Sequence, residues 1–258
     1  MTNAPKKAVI LAAGCGSRLR PLTDLRPKPL VEVNGTPILH NALRNLEAVG
    51  VEEVTIVVGY RKDAIQYSCG NHFGKLEINY AESPVFDKTG NAYSLWLARD
   101  TLLTGDIYLL EGDVFFELDA LRYLDMEEAE NVAAVAPFDR SMEGSAVVVT
   151  ENGYIAEVRM NQTAANLIDG SPRLFKTMNL IRLSGNDLRE TIVPRLDDLI
   201  GSGAVNSYTE DLLSDLVQKK ALWIAAARCD DVRWYEIDNE DDLRVAEAMF
   251  TTPREFAC

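Results

Sequence analysis

The sequence predicts an α/β protein with a mostly parallel mixed sheet flanked by helices. Two apolar strands, at residues 8–11 and 54–58, enclose an amphipathic helix that begins at Thr36-Pro37. Strand, helix and strand in this order imply a right-handed crossover between parallel strands. Further along, strands at 145–150 and 154–159 flank an Asn-Gly turn, which indicates a β-hairpin. We therefore expect antiparallel additions in the C-terminal half.

The first strand leads into a loop suited to binding phosphate. Gly14 and Gly16 lie in this loop, and the basic residues that follow are Arg18, Arg20, Arg26 and Lys28. Glycines let backbone N–H groups approach an anion, and basic side chains donate charge-assisted hydrogen bonds to it. The spacing excludes a dinucleotide fingerprint and a P-loop. Taken alone, the segment would also suit a tight turn with a solvated basic face.

Two further strands end in polar residues. After the strand at 76–80, a polar connection leads to a helix that begins at Asn91, which is predicted either to bind a ligand or to cap this helix. The strand at 107–110 ends in Glu111-Gly-Asp113. A carboxylate after a buried strand, preceded by a glycine, can hold Mg²⁺ against phosphate oxygens, although acidic residues there also serve as caps.

The rest of the chain continues the alternation of elements. The sequence predicts strands at 132–137 and 175–181, helices at 186–199 and 209–219, and a short strand at 234–238 before a final helix. A chain of 258 residues can bury one large core. We expect a single domain over residues 1–258.

The string Leu11-Ala-Ala-Gly-Cys-Gly-Ser-Arg-Leu-Arg-Pro-Leu-Thr23 with Pro27-Lys-Pro-Leu30 is more specific than its parts. It resembles the signature of the nucleotidyltransferases that make nucleoside-diphosphate sugars and related activated head groups. The resemblance implies a Rossmann-like sheet and a nucleotide-binding half at 1–140, with an acceptor-binding half at 141–258. It assigns phosphate contacts in catalysis to Arg18 and Lys28. The implied nucleotide-binding residues are Leu11, Ala12, Ala13, Gly14, Gly16, Ser17, Glu82, Gly90 and Asn91.

The same resemblance implies a metal site and an acceptor site. Mg²⁺ is the expected cofactor, with Asp113 and Asp238 as its ligands, although Asp238 would also suit a helix cap. The implied acceptor-binding residues are Tyr93, Lys176, Glu210 and Asp211. Instead of binding the acceptor, Lys176 could be an ordinary exposed lysine. Glu210 and Asp211 could instead belong to a segment that caps the following helix.

Within the family, the chain looks most like the small bacterial cytidylyltransferases that act on phosphocholine or on aminoalkyl and hydroxyalkyl phosphonates. This likeness implies CTP as the favoured nucleoside triphosphate and a small phosphate or phosphonate as the acceptor. Two alternatives stay open. One is a sugar-1-phosphate nucleotidyltransferase that uses UTP, dTTP or GTP, and the other is a non-catalytic regulatory subunit that keeps the nucleotide-binding fold.

Charge, apolar runs and cysteine spacing limit the binding partners and the cellular compartment that we expect for this protein. The net charge of -14 disfavours nucleic acid as a partner. The apolar run at 8–13 is too short to span a membrane or to form a signal peptide. The cysteines show neither paired metal spacing nor a dense disulfide framework, and they are Cys15, Cys69, Cys229 and Cys258. We therefore expect a cytoplasmic protein without a membrane partner, and a homo-oligomer stays open.

Overall fold

The computed structural model describes residues 4–168 and 170–251, so Cys258 lies outside the described residues. The strands are β1 (Lys7–Ala12), β2 (Glu32–Val33), β3 (Thr36–Pro37), β4 (Glu53–Val58), β5 (His72–Phe73), β6 (Leu76–Glu82), β7 (Ile107–Glu111), β8 (Val114–Phe116), β9 (Val132–Pro137), β10 (Gly144–Val149), β11 (Ile155–Gln162), β12 (Leu174–Leu183), β13 (Ala225–Arg228) and β14 (Trp234–Glu236). The α-helices are α1 (Leu22–Leu25), α2 (Ile38–Ala48), α3 (Lys62–Cys69), α4 (Asn91–Leu97), α5 (Arg99–Leu102), α6 (Asp119–Met126), α7 (Gly185–Asp187), α8 (Val193–Gly201), α9 (Thr209–Gln218) and α10 (Glu240–Met249).

The central sheet has a parallel middle and an antiparallel side. Its main path runs β11-β10-β12-β7-β1-β4-β6-β5, and β9 joins it between β12 and β13. The four strands β7, β1, β4 and β6 are parallel neighbours. Strand β12 runs antiparallel to β7, β9 and β10, and β10 forms the predicted hairpin with β11. The predicted fold class is therefore confirmed. Strands from both predicted halves share this sheet, and the division near residue 140 stays a prediction.

Apolar residues bury both faces of the sheet. The continuous run of β4 is buried between two hydrophobic clusters, one on each face, which explains why its sequence lacks the alternation of a half-exposed strand. Helix α2 packs Leu39, Leu43 and Leu46 against one face. It begins one residue later than predicted, because Pro37 has the extended ψ of 140° and lies before the helix. Across the described residues, no helix has both the length and the apolar character that crossing a bilayer requires.

A small two-stranded sheet brings the C-terminal segment to the end of β7. Strands β8 and β14 pair antiparallel, with Glu236 opposite Val114. The backbone N–H of Ile237 donates to the carbonyl of Asp113 at 3.0 Å. Asp113 and Asp238, which are far apart in sequence, therefore meet at the carboxyl edge of the parallel strands. Open parallel sheets bind their ligands at this edge.

The start of α4 lies against the loop before α9. The N–H of Gly90 donates to the carbonyl of Val205 at 2.9 Å. A Cβ atom at Gly90 would lie only 2.1 Å from the carbonyl oxygen of Ser207. Only glycine permits this approach, which holds two segments of the candidate site together.

We predict that Gly90→Ala destabilises the protein by about 2 kcal/mol or more, because the added methyl forces the two backbones apart. The matched control is Gly201→Ala at the end of α8, where an added Cβ meets nothing within 4 Å. This control should change stability by less than about 0.5 kcal/mol. Urea unfolding measures both, and equal stabilities of the two variants would contradict the packing argument.

Candidate functional site

A cleft of about 1630 Å³ opens at the carboxyl edge of the parallel strands. Most of the residues predicted from sequence lie in its lining. They are Leu11, Ala12, Ala13, Gly14, Gly16, Ser17, Arg18, Lys28, Gly90, Asn91, Asp113, Lys176, Glu210, Asp211 and Asp238. The cleft brings these residues together from segments spread over most of the chain.

The glycine loop and the turn after β7 are held close to each other. Gly16 adopts a left-handed φ of 60°, and a Cβ atom there would lie 2.7 Å from the Cβ of Lys28. The N–H of Gly112 donates to the carbonyl of Leu11 at 2.9 Å. A side chain at Gly112 would bring its Cβ to 2.9 Å from that same carbonyl oxygen. Both glycines therefore set the distance between the loop, Lys28 and Asp113.

The ammonium group of Lys28 bridges two carboxylates. Its Nζ lies 2.8 Å from Oδ2 of Asp113 and 2.7 Å from Oδ1 of Asp238. Burial alone would lower the pKa of Lys28, but the two carboxylates outweigh it and raise the pKa. Burial likewise favours a raised pKa for Asp238, and Lys28 with Arg18 overrides this effect and lowers it. Arg18 is largely exposed and places its guanidinium 2.9 Å from Asp238.

Three further glutamates lie beside this bridge, and they are Glu111, Glu210 and Glu236. We call these three residues the glutamate pocket. Burial, reinforced by neighbouring carboxylates, raises the pKa of Glu111 well above its usual range. Burial also raises the pKa of Glu236, although Lys176 opposes this. The Oε2 atom of Glu210 is buried and has no hydrogen-bond partner. The pocket is therefore suited to a cationic group.

Amide and ammonium groups hold the glutamates in place. The Nδ2 of Asn91 donates to Oε1 of Glu111 at 2.6 Å. Lys176 is buried and its Nζ lies 2.7 Å from Oε2 of Glu236. The Nδ2 of Asn179 donates to Oε1 of Glu236 at 3.3 Å. Within the cleft, these donors link α4 to β7 and β12 to β14.

The donor set fits a divalent metal ion. Carboxylate oxygens are the ligands that Mg²⁺ prefers, and buried oxygens without donors favour a cation. Asp113 has such an atom, because its Oδ1 is buried and has no hydrogen-bond partner. Besides the predicted pair with Asp238, Asp113 groups with Glu111 and Glu236, whose oxygens lie within 4.8 Å of one another. Two overlapping carboxylate sets could therefore hold the ion.

Two predicted site residues lie outside the cleft lining. Glu82 faces solvent at the end of β6 and forms an ion pair with Lys62 at 2.7 Å. The ring of Tyr93 packs on that of Trp96, with their centroids 5.6 Å apart. Glu82 is the last residue of β6 and Tyr93 lies within α4, but neither residue lines the cleft.

The contacts decide four of the alternatives that the sequence left open. Asn91 does not cap α4, since its Oδ1 accepts from the N–H of Thr209 at 2.7 Å and so links α4 to the start of α9. Asp238 does not cap α10, because Asn239 does. The exposed-lysine alternative for Lys176 is wrong, since the residue is buried. Asp211 does cap α9, as its Oδ2 accepts from the N–H of Tyr208.

Sequence reasoning missed Glu111, Glu236 and Asn179. Glu236 had a usable signal, because residues two apart on a strand point to the same side and Asp238 was already a candidate. Glu111 stands two residues before Asp113 and carried the same signal. Asn179 adopts a left-handed φ of 55° within β12, and no sequence pattern marks that conformation inside a strand.

The sequence pattern of the nucleotidyl transferase family matches residues 7–156, which is more than half of the chain. The chain belongs to this family. The resemblance found in the glycine-rich loop and the predicted enzyme class are thereby confirmed. The match also contains Arg18, Lys28 and Asp113, three of the charged residues at the centre of the cleft.

Two relatives of this chain are named for different compounds. The chain is 38% identical to CMP-5′-(3-aminopropyl)phosphonate synthase of Streptomyces rubellomurinus, over 97% of this chain and 40% of that protein. It is 31% identical to a UTP–glucose-1-phosphate uridylyltransferase of Haloferax volcanii, over 76% of this chain and 84% of that protein. The chain therefore spans less than half the length of the phosphonate relative.

The fold is shared with a solved structure of CTP:phosphocholine cytidylyltransferase from Streptococcus pneumoniae. The TM-score is 0.76, the identity is 23%, and the match covers 94% of this chain and 98% of the other. This likeness confirms the architecture described above.

The buried ion pair between Lys176 and Glu236 gives a stability prediction. Lys176→Met leaves an uncompensated carboxylate in the cleft and should destabilise the protein by about 3 kcal/mol. The double variant Lys176→Met with Glu236→Gln removes both charges and should recover most of this loss. Urea unfolding of both variants measures the effect. Wild-type stability of the single variant would show that the pair contributes nothing.

Proposed function

We propose that this chain is a Mg²⁺-dependent cytidylyltransferase that transfers CMP from CTP to a small aminoalkyl phosphonate or phosphate and releases pyrophosphate. The observation that carries the proposal is the combination of features in one cleft. The glycine loop with Arg18 and Lys28 suits a triphosphate, and the glutamate pocket beside it suits an ammonium group. An aminoalkyl phosphonate or phosphate carries both a phosphate-type nucleophile and a cationic end.

The nucleotide occupies the part of the cleft formed by the end of β1. The backbone at Leu11, Ala12 and Ala13 borders the base, and the loop from Gly14 to Ser17 surrounds the triphosphate. Gly90 and Asn91 lie across the cleft from this loop in the proposed arrangement, at the start of α4. Arg18 and Lys28 neutralise phosphate oxygens, which the net charge of -14 makes necessary, because the chain as a whole repels an anion.

The chemistry needs no nucleophile from the enzyme. An oxygen of the acceptor's phosphonate or phosphate attacks the α-phosphorus of CTP in line, and pyrophosphate departs with the electron pair of the broken P–O bond. The chain positions the two anions and stabilises the charge that develops between them. Asp113 and Asp238 would hold Mg²⁺, which supplies Lewis-acid stabilisation of the phosphate oxygens.

The acceptor assignment rests on charge. Glu210 has a buried carboxylate oxygen without a donor, and Glu111 is a buried acid with a raised pKa. An acceptor ammonium would give both groups a cationic partner and would favour their ionised forms. The relative that covers 97% of this chain is a synthase of a CMP-aminopropylphosphonate, which agrees with this assignment.

A sugar-1-phosphate acceptor is the second candidate, because the uridylyltransferase relative is matched over 84% of its length. Sugar hydroxyls are neutral, however, and would leave the buried carboxylates uncompensated. A regulatory, non-catalytic role is disfavoured, since Arg18, Lys28, Asp113 and Asp238 are in contact in one cluster. The cytoplasmic location and the oligomeric state remain predictions.

The proposal is tested by pyrophosphate release with Mg²⁺ in a grid of substrates. CTP, UTP, ATP, GTP and dTTP are each paired with 2-aminoethylphosphonate, 3-aminopropylphosphonate, 2-hydroxyethylphosphonate, phosphocholine and glucose-1-phosphate. We expect turnover with CTP and an aminoalkyl phosphonate, and none after chelation of the metal by EDTA. Turnover confined to glucose-1-phosphate would contradict the proposal and establish the second candidate.

A variant of the glutamate pocket tests amine recognition. Glu210→Gln keeps the size of the side chain but removes its charge, so KM for the aminoalkyl phosphonate should rise by about tenfold, as expected for one lost charge-assisted hydrogen bond. KM for CTP should change little. Glu157→Gln on the exposed part of β11 is the matched control. Equal KM values for the acceptor in the wild type and in Glu210→Gln would exclude this role of Glu210.

A further inference from the structure

Lys28 is bound to the same carboxylates that are assigned to the metal. Its Nζ donates to Oδ2 of Asp113 and to Oδ1 of Asp238, and 12% of its side chain is exposed. The two carboxylates have exposed fractions of 20% and 23%, so solvent screens the contacts only partly. One ammonium group therefore uses the oxygens that a divalent cation needs.

The immediate surroundings of Lys28 restrict where its stem can move. A Cβ atom added at Gly16 would lie 2.7 Å from the Cβ of Lys28. The base of the Lys28 side chain is therefore packed against the glycine loop. Lys28 and Gly16 both line the cleft. A lysine has several rotatable bonds and a compact charged end. The ammonium group can therefore leave the carboxylates and remain close to the loop proposed to bind the triphosphate, while the stem stays in place.

We propose that Lys28 is an internal competitor of the metal at Asp113 and Asp238, and that metal binding exchanges the ammonium group from these carboxylates to the nucleotide phosphates. In the free protein, Lys28 satisfies two carboxylates that would otherwise repel each other. Once a divalent cation takes over this role, the ammonium group of Lys28 moves to the triphosphate and neutralises part of its charge. The exchange makes metal binding and nucleotide binding mutually favourable. The metal frees Lys28 to bind the phosphates, and the phosphates compensate the ammonium group that has left the carboxylates.

This inference builds on the metal use stated under the proposed function, and it adds a second role for Lys28 besides contact with phosphate. It also distinguishes between the two carboxylate sets. Lys176 is the matched comparison, since it too is a lysine that lines the cleft, but its ammonium group contacts Glu236 and not Asp113 or Asp238. Only a residue that shares the metal's own ligands competes directly with the metal.

The test measures Mn²⁺ binding to the full chain without nucleotide or acceptor, from the EPR signal of free Mn²⁺. Lys28→Met and Lys28→Gln should each bind Mn²⁺ about tenfold more tightly than the wild type, because a charge-assisted bridge no longer has to be broken. Lys176→Met should give a clearly smaller gain. Adding Asp113→Asn to Lys28→Met should abolish the gain. Circular dichroism confirms that each variant is folded.

Two outcomes would overturn the inference. Unchanged or weaker Mn²⁺ binding by both folded Lys28 variants would show that Lys28 does not compete with the metal. A gain in Lys176→Met equal to that in Lys28→Met would show that only the general charge of the cleft matters, or that the ion binds Glu111, Asp113 and Glu236. Because no substrate is present, neither result depends on whether CTP and an aminoalkyl phosphonate are the substrates.

Discussion

Compensation of buried carboxylates is the constraint on which the cleft depends. A carboxylate that leaves water loses its hydration and repels its neighbours, so it needs a cation or several donors nearby. Here Lys28 serves Asp113 and Asp238, and Lys176 serves Glu236. Of the other acids, Glu111 accepts a hydrogen bond from the amide of Asn91 and has a raised pKa because of its burial. Substrate and metal then supply the positive charge that compensates these carboxylates only in part in the free protein.

The fold supplies these groups from distant parts of the chain by joining strand ends. Parallel β1 and β7 end side by side, which places the glycine loop next to the turn at Gly112. Strand β14 pairs with β8 and extends this edge, so that Asp238 arrives beside Asp113. Glycine is required at Gly112 and Gly90 because two backbones meet there without room for a side chain. The rigid sheet therefore determines the distances on which the chemistry depends.

Much of this arrangement could be predicted from sequence, for a physical reason. Continuous apolar runs mark buried parallel strands, and residues that follow such strands collect at one edge, so Asp113 could be placed there. The resemblance to the family added Asp238 as its partner. Side-chain direction could not be predicted in the same way. Glu82 is the last residue of β6 but pairs with Lys62 outside the cleft. The burial of Glu236 depends on the pairing of β14 with β8, strands about 120 residues apart, which no local pattern encodes.

The most direct measurement is X-ray diffraction from crystals grown with Mn²⁺ and CTP, with the metal located by its anomalous signal. We expect a peak within bonding distance of Asp113 and Asp238, with the ammonium group of Lys28 moved from these carboxylates to the phosphates. A peak at Glu111 and Glu236, with Lys28 still bridging Asp113 and Asp238, would contradict it. That result would keep the chain in its family but require a different role for Lys28.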